Sequence, residues 1–398
     1  MYTISFFLQK CKVEIDTFDN IVYNGETFIH REGAFVIRII KNRRALHQIP
    51  ELDRQLDQTI SYLRGELEGL SCQLFSPIEG SLCAWFNAGA KRTIAFRADM
   101  DALPIAEKTG APYASRHPGR MHACGHDGHM AILLELARRL NLKRHLNSNI
   151  LLVFQPAEEA SGGAKPICDT GIFEKYHVEA IFGLHLWPGL EKGRVFSRGN
   201  ELMARASEVN VDIYGKSAHI AKASEGVDAV AAGAEFFRRA MAMVDSLPEH
   251  VFRLLKFGKF ESGTVRNALS AHTHMEGSLR AFQDEIFDSL KDGLFEIGKA
   301  LEREMGCRVE IHINGGYPAV LNPEDLCQRV KAVTAFTELE APAMTAEDFA
   351  FYQRRLPGMF LFLGTGDSPA LHTNNFDFDE SVLEKGADFF EMLAVNFK

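Results

Sequence analysis

Nine consecutive residues of this chain hold one thiol and three imidazoles: Met121-His122-Ala123-Cys124-Gly125-His126-Asp127-Gly128-His129. The Cys124-Gly125-His126 step lets a thiolate and an imidazole converge on one point, and a metal ion or a helix N-terminus beside them lowers the thiol pKa. A second feature is the adjacent pair Glu158-Glu159, which follows the apolar run Ile150–Phe154. Two carboxylates at the end of a buried strand need a compensating cation or must share a proton. One of them can then hold a metal while the other acts as a base. His185 follows the apolar run Ala180–Leu184, His372 lies in the loop after Met359–Leu363, and Asp99 and Asp101 follow Thr93–Phe96. Taken singly, each is an ordinary polar residue. Together they are a mixed set of carboxylate, imidazole and thiol donors, suited to Zn²⁺, Mn²⁺, Co²⁺ or Ni²⁺. There are more donors than one tetrahedral ion takes, so two divalent ions are the economical expectation.

The elements that must position these donors follow from the apolar pattern. Runs of four to six apolar residues between helical stretches read as buried strands of an α/β sheet, where ligands bind beyond the carboxyl ends of the strands. One helix is predicted from about Phe35 through Leu46, a second across Leu56, Ile60 and Leu63, and a third from Met130 to Leu140. Between about Arg205 and Gly315 the pattern changes. Val209, Val211 and Ile213 alternate as a half-buried strand, and Val227, Val230, Ala231, Ala234, Phe237 and Met241 mark a helix face. Strand-like runs at Val251–Phe260 and Ala271–Arg280, a helix through Phe287, Leu290, Leu294, Ile297 and Leu301, and a strand at Val309–Ile313 complete the order βαββαβ. That order is a ferredoxin-like unit. It falls between His185 and His372, so it reads as an insertion. The expected layout is an N-terminal extension of unassigned role over residues 1–35, a discontinuous catalytic domain over 36–204 and 316–398, and an inserted domain over 205–315.

Composition narrows the function classes. The 398 residues carry 44 Lys+Arg against 53 Asp+Glu, a net charge of −9, with 46% hydrophobic residues. This is a globular composition that signals no basic face for nucleic acid. The apolar stretch at Met1–Phe7 meets Lys10, Lys12, Glu14 and Asp16 at once, unlike a secretory signal or a membrane span, so a cytoplasmic protein is expected. Seven cysteines without paired spacing read as reduced thiols rather than a disulfide framework.

Five segments carry a resemblance. Arg43-Arg44-x-Leu46-His47-x-x-Pro50-Glu51, Arg97-Ala98-Asp99-Met100-Asp101-Ala102-Leu103-Pro104, Met121–Asp127, Gln155-Pro156-Ala157-Glu158-Glu159 and Ala346-Glu347-Asp348-Phe349 stand in this order. Together they resemble the amidohydrolase branch of the aminoacylase/carboxypeptidase-type co-catalytic metallopeptidases, which includes hippurate hydrolases, N-acetyldiaminopimelate deacetylases and auxin-conjugate hydrolases. The similarity runs from about residue 36 to the C-terminus.

The resemblance implies a zinc-peptidase-like α/β catalytic domain, a mixed sheet flanked by helices, with the inserted unit as lid and dimerisation domain and hence a homodimer. It implies that Cys124, His126, Glu159, His185 and His372 hold two divalent ions, that Glu158 is the general base and then the acid, and that Asp101 orients the ligand region. It places His219, in Gly215-Lys216-Ser217-Ala218-His219, with Asn267 and Arg280 at substrate-contacting positions. His219 would act from its own chain or across a dimer interface. The chain departs from the branch where Ser217-Ala218 replaces two glycines and Ala223-Ser224 replaces a Pro-His pair. The implied reaction is hydrolysis of a linear amide in an N-acyl amino acid, closer to the N-acetyldiaminopimelate deacetylases at Ser207-Glu208-Val209 and Ser161-Gly162-Gly163-Ala164. Competing expectations are a small-peptide metallohydrolase, an amidase with Cys124 as covalent nucleophile, and a metal-dependent sensing protein.

Overall fold

The computed structural model describes the backbone at residues 13–17, 20–23, 26–29 and 31–398, and side chains from Ile37 onward. Short strands Val13–Thr17, Asn20–Tyr23 and Glu26–Ile29 pair antiparallel in sequence order. The Asn24-Gly25 step lies outside the described residues, as does Cys11. The described residues form two compact units. The first contains those up to Ser197, with 325–338 and 356–398, and the second residues 198–324 and 339–355. The second unit thus holds the whole of 205–315 and also the stretch 339–355, which carries Ala346-Glu347-Asp348-Phe349.

The first unit is built on an eight-stranded mixed sheet. Its centre is four parallel strands in the order Gly358–Gly364, Val178–Trp187, Thr93–Asp99 and Asn149–Gln155. Every residue of Thr93–Asp99, Asn149–Gln155 and Gly358–Gly364 is buried, which is why these strands read as continuous apolar runs instead of alternating ones. Leu82–Phe86 and Val195–Ser197 join the parallel core in antiparallel register. Helices Arg31–His47, Asp57–Leu67, His126–Asn141 and Val382–Asn396 belong to the same unit, and Leu46, Leu63, Leu133, Leu136, Phe390 and Leu393 pack into its core with Phe96, Phe154 and Phe182.

Two predicted boundaries move, and both moves matter to the site. The third helix begins at His126, not at Met130. Gly125, with φ of 85°, turns the chain into it in a conformation that only glycine adopts without strain. The strand predicted at Ala180–Leu184 extends through Trp187, so His185 lies within the strand instead of beyond its end.

The second unit contains the sheet order Arg253–Ser262, His272–Ala281, Arg205–Tyr214, Arg308–Ile313, all antiparallel. Helices Ala229–Asp245 and Asp284–Met305 connect these strands in the βαββαβ order. Val209, Val211, Ile213, Met275 and Leu279 meet Phe236, Phe287 and Leu294 of the helices in one core, leaving the alternate residues of each strand on the opposite face.

Candidate metal centre

Asp101 organises the site from the end of strand Thr93–Asp99. Its carboxylate accepts the backbone N–H of Glu158 on Oδ1 and that of Glu159 on Oδ2, each at 2.9 Å. Its backbone carbonyl accepts the Nδ1–H of His126 at 2.8 Å. One residue therefore sets both the glutamate turn and the His126 tautomer. The turn carries its own strain: Ala157 sits at φ 62°, a region that costs a non-glycine residue free energy and is held only by surrounding structure. Gly162 closes the turn by donating its N–H to the Ala157 carbonyl at 2.8 Å.

The donors converge on Cys124. Its Sγ lies 3.3 Å from His185 Nε2 and 3.3 Å from His372 Nε2. His372 Nε2 is 3.0 Å from Glu159 Oε1, and His126 Nε2 is 3.9 Å from the same oxygen. His185 donates Nδ1–H to the Leu186 carbonyl at 2.7 Å, which leaves Nε2 as its lone-pair nitrogen, the same choice of tautomer as at His126. The structure brings Cys124, His126, Glu159, His185 and His372 together, with Glu158 beside His126 and Glu159.

These residues fit divalent cations. The Nε2 of His126 is fully buried and has no hydrogen-bond partner, an orphan whose cost a cation removes. Burial holds His126 below the usual histidine range and His185 well below it, so both rings are neutral, the form that ligates. Burial, then the charges of Glu159 and Glu158, pushes the Cys124 thiol well up. Burial likewise pushes Asp101 well above the carboxylate range, with Glu159 adding to it, although two backbone N–H groups pull the other way. The site is short of positive charge, which divalent ions would supply.

Two neighbouring histidines resemble ligands by type: one is already spent, and the other is buried with no hydrogen-bond partner at either ring nitrogen. His129 donates Nδ1–H to Asp99 Oδ1 at 2.6 Å, and its Nε2 accepts the Leu186 N–H at 2.9 Å. Asp99 also accepts from Arg97 at 2.7 Å. His122 is fully buried, and burial pushes it down to about 3, so it is a neutral ring beneath the loop.

A network that sequence reading left without a role anchors the loop from behind. Asp127, next to His126, accepts Arg43 Nε–H at 2.8 Å and lies 2.8 Å from His47 Nδ1. Arg43 reaches on to Asp377 and Glu380, and His47 to Glu107. The signal was present in the i,i+4 spacing of Arg43 and His47, two polar residues on one helix face, but their partners lie 84 and 80 residues away.

The remaining candidates sit in the second unit. His219 is exposed, and its Nδ1 accepts the Ala221 N–H at 3.2 Å, leaving Nε2 to carry the proton. Ile220 donates its N–H to the Asn267 carbonyl at 3.0 Å, so His219 and Asn267 stand on adjoining loops. Arg280 lies on strand His272–Ala281, bonded to Ser278 and to the Met344 carbonyl.

A mixed α/β sheet carrying buried thiol, imidazole and carboxylate donors around an adjacent glutamate pair defines a metal-dependent hydrolase. The chain belongs to peptidase family M20/M25/M40, whose family model matches residues 95–396. A Staphylococcus epidermidis protein described as an uncharacterized hydrolase is 33% identical over 376 residues, covering 90% of this chain and 97% of its own. The structure of the Bacillus subtilis YXEP protein, a dinuclear metal binding peptidase from the M20 family, matches with a TM-score of 0.79 and 30% identity over 91% of this chain and 98% of that one. A solved chain from methicillin resistant Staphylococcus aureus matches with a TM-score of 0.84 and 27% identity, covering 92% and 97%. Among the described residues, no helix is long and apolar enough to cross a membrane.

Proposed function

We propose that this protein is an amidohydrolase that cleaves N-acyl amino acids, with acyl groups of the acetyl or benzoyl kind, to a carboxylic acid and a free amino acid. The observation that carries the reading is the Glu158-Glu159 turn, held by both oxygens of Asp101 beside the converging donors. Cys124, His126, Glu159, His185 and His372 would hold two divalent ions, as the dinuclear Bacillus neighbour does by its description; Zn²⁺ and Mn²⁺ suit these donors best, and Co²⁺ and Ni²⁺ also fit. When bound, such ions acidify water and polarise a carbonyl.

The chain's own residues do the rest. Glu158 takes a proton from the attacking water and delivers it to the departing amide nitrogen. Asp101 keeps that carboxylate in place and directs Nε2 of His126 toward the ions. His219, with its proton on Nε2, donates to the oxygen on which negative charge develops. Arg280 offers a planar fork for the substrate carboxylate, and Asn267 a further polar contact. Against Cys124 as a covalent nucleophile stands its raised pKa among carboxylates, since the thiolate is the reactive form.

A homodimer through the second unit belongs to the same proposal. Strand Arg253–Ser262 is a sheet edge, and Phe260 on it is exposed, with Val230 and Phe237 exposed on the helix Ala229–Asp245. Open edges with apolar side chains are surfaces that pair.

The test is Glu158→Gln in metal-reconstituted protein, assayed on acetyl, benzoyl and longer acyl amino acids and on dipeptides. The variant should keep its metal content and lose roughly 10²- to 10⁴-fold in kcat. A fully active variant overturns the role of Glu158. Turnover of dipeptides with none of the acyl amino acids would make the protein a small-peptide hydrolase.

A further inference from the structure

The bare face of the second unit's sheet carries a cluster of donors that the proposed reaction does not use. Register places Asp212 opposite His274, Tyr214 opposite His272 and Asn210 opposite Glu276 on one side of strand Arg205–Tyr214. On its other side Asp212 faces Glu310 and Asn210 faces His312. Residues two apart on a strand share a face, so three imidazoles and several carboxylates stand together on the side away from the helices. Asp212, His274, Glu276 and His312 line an open groove of about 790 Å³.

At the centre, one oxygen serves two rings. Asp212 Oδ1 lies 2.8 Å from His272 Nε2 and 2.8 Å from His274 Nδ1. The second nitrogen of His274 lies 2.9 Å from Glu276 Oε1, which Lys259 also bonds at 2.9 Å. His272 is stacked on Tyr214 with ring centroids 4.9 Å apart at 23°, which limits its rotation. Both rings must therefore direct an N–H at the same carboxylate oxygen. One carboxylate oxygen and two imidazole nitrogens are donor types that a divalent transition-metal ion takes.

We propose that Asp212, His272 and His274 form a second divalent transition-metal site, of the zinc class, on the open sheet face, with Glu276 as an additional oxygen donor. Two imidazoles at i and i+2 of one strand and a carboxylate from its neighbour supply the nitrogen and oxygen ligands that such ions take. Binding displaces the Nδ1 proton of His274 to solvent while its Nε2–H stays on Glu276, and moves the proton of His272 from Nε2 to Nδ1, so that each ring ligates as a neutral imidazole. All the side chains involved are at least partly exposed, and the two rings would turn toward one another beside Asp212 to share an ion. None of them belongs to the candidate metal centre, and the proposal does not depend on what that centre hydrolyses.

The experiment counts metal. Full-length protein and two variants, His272→Asn/His274→Asn and Asp212→Asn, are dialysed to equilibrium against Zn²⁺ with excess Mg²⁺ to compete at purely electrostatic positions, and bound zinc is measured by elemental analysis. The unaltered protein should hold one more equivalent than either variant, with hydrolytic activity unchanged among the three. Far-UV circular dichroism checks that the variants are folded. Equal zinc content in the unaltered protein and both variants overturns the proposal.

Discussion

His129 and Asp99 meet at 2.6 Å, Nδ1 to Oδ1, while Nε2 of the same ring accepts the backbone N–H of Leu186. His129 thereby ties the strand that bears His185 to the strand that ends in Asp99, and Arg97 closes the chain on the far oxygen of Asp99. The ring sits among metal-type donors without a lone pair to give them. It orients a ligand through the backbone of the ligand's neighbour. His129→Ala should lower metal affinity by roughly 10- to 100-fold, the usual cost of losing a partner behind the ligands. Excess metal should restore much of kcat. Titration of the apo-protein with a metal indicator checks this, and an unchanged affinity would refute the positioning role.

Gly163 is where the glutamate turn tolerates no side chain. A Cβ there would stand 1.9 Å from the Pro156 carbonyl oxygen, so the backbone must move. That carbonyl leads into Ala157, which already sits at positive φ. Gly163→Ala should cost about 1–3 kcal/mol of stability, the range for overpacking, and displace Glu158 and Glu159 together. Thermal unfolding and metal content should both fall. A variant with native metal content and native kcat would show that the turn absorbs the change.

The Arg43–His47–Asp127 network makes stability depend on alkaline pH. Burial alone would depress His47, but its bonds to Asp127 and Glu107 outweigh it and raise the ring to about 9. A raised pKa means the protonated ring stabilises the fold. That contribution is complete below the unfolded value near 6.5 and is lost as pH rises through about 9. Its ceiling is on the order of 3 kcal/mol at 1.36 kcal/mol per unit. Urea unfolding of the protein and of His47→Gln should give free energies that differ most below about pH 6.5 and converge above about 9. Parallel pH profiles would remove His47 from this role.

Two exposed aromatics, Phe260 on the edge strand and Phe237 on the helix Ala229–Asp245, predict the assembly state. Phe237 and Phe260 are 39% and 44% exposed, and placing a charge at each removes an apolar anchor worth about 2 kcal/mol or more at a buried interface. Phe237→Glu/Phe260→Glu should convert a dimer into a monomer in size-exclusion chromatography with light scattering. A variant that elutes and scatters like the unaltered protein would exclude this edge as the interface.

Much of this protein was legible in the residues themselves. Four continuous apolar runs announced the buried parallel strands, because burial on both faces removes the alternation that marks a half-exposed strand. Cys124 and His126 stood out by the thiol and imidazoles packed into nine residues, the Glu158-Glu159 pair, His185 and His372 because each follows such a run, and the alternating stretch from Val209 announced the change to a sheet with one open face. Tertiary structure decided what depends on partners distant in the chain. It moved the start of the third helix to His126, spent His129 on Asp99 and Leu186, joined Arg43 and His47 to Asp127, and returned residues 339–355 to the second unit. The physical reason is common to these cases. Apolar periodicity reports how each segment meets solvent, which is local. The lone pair a ring has left, and the carboxylate it must satisfy, are settled only when strands and helices from across the chain close the same buried space.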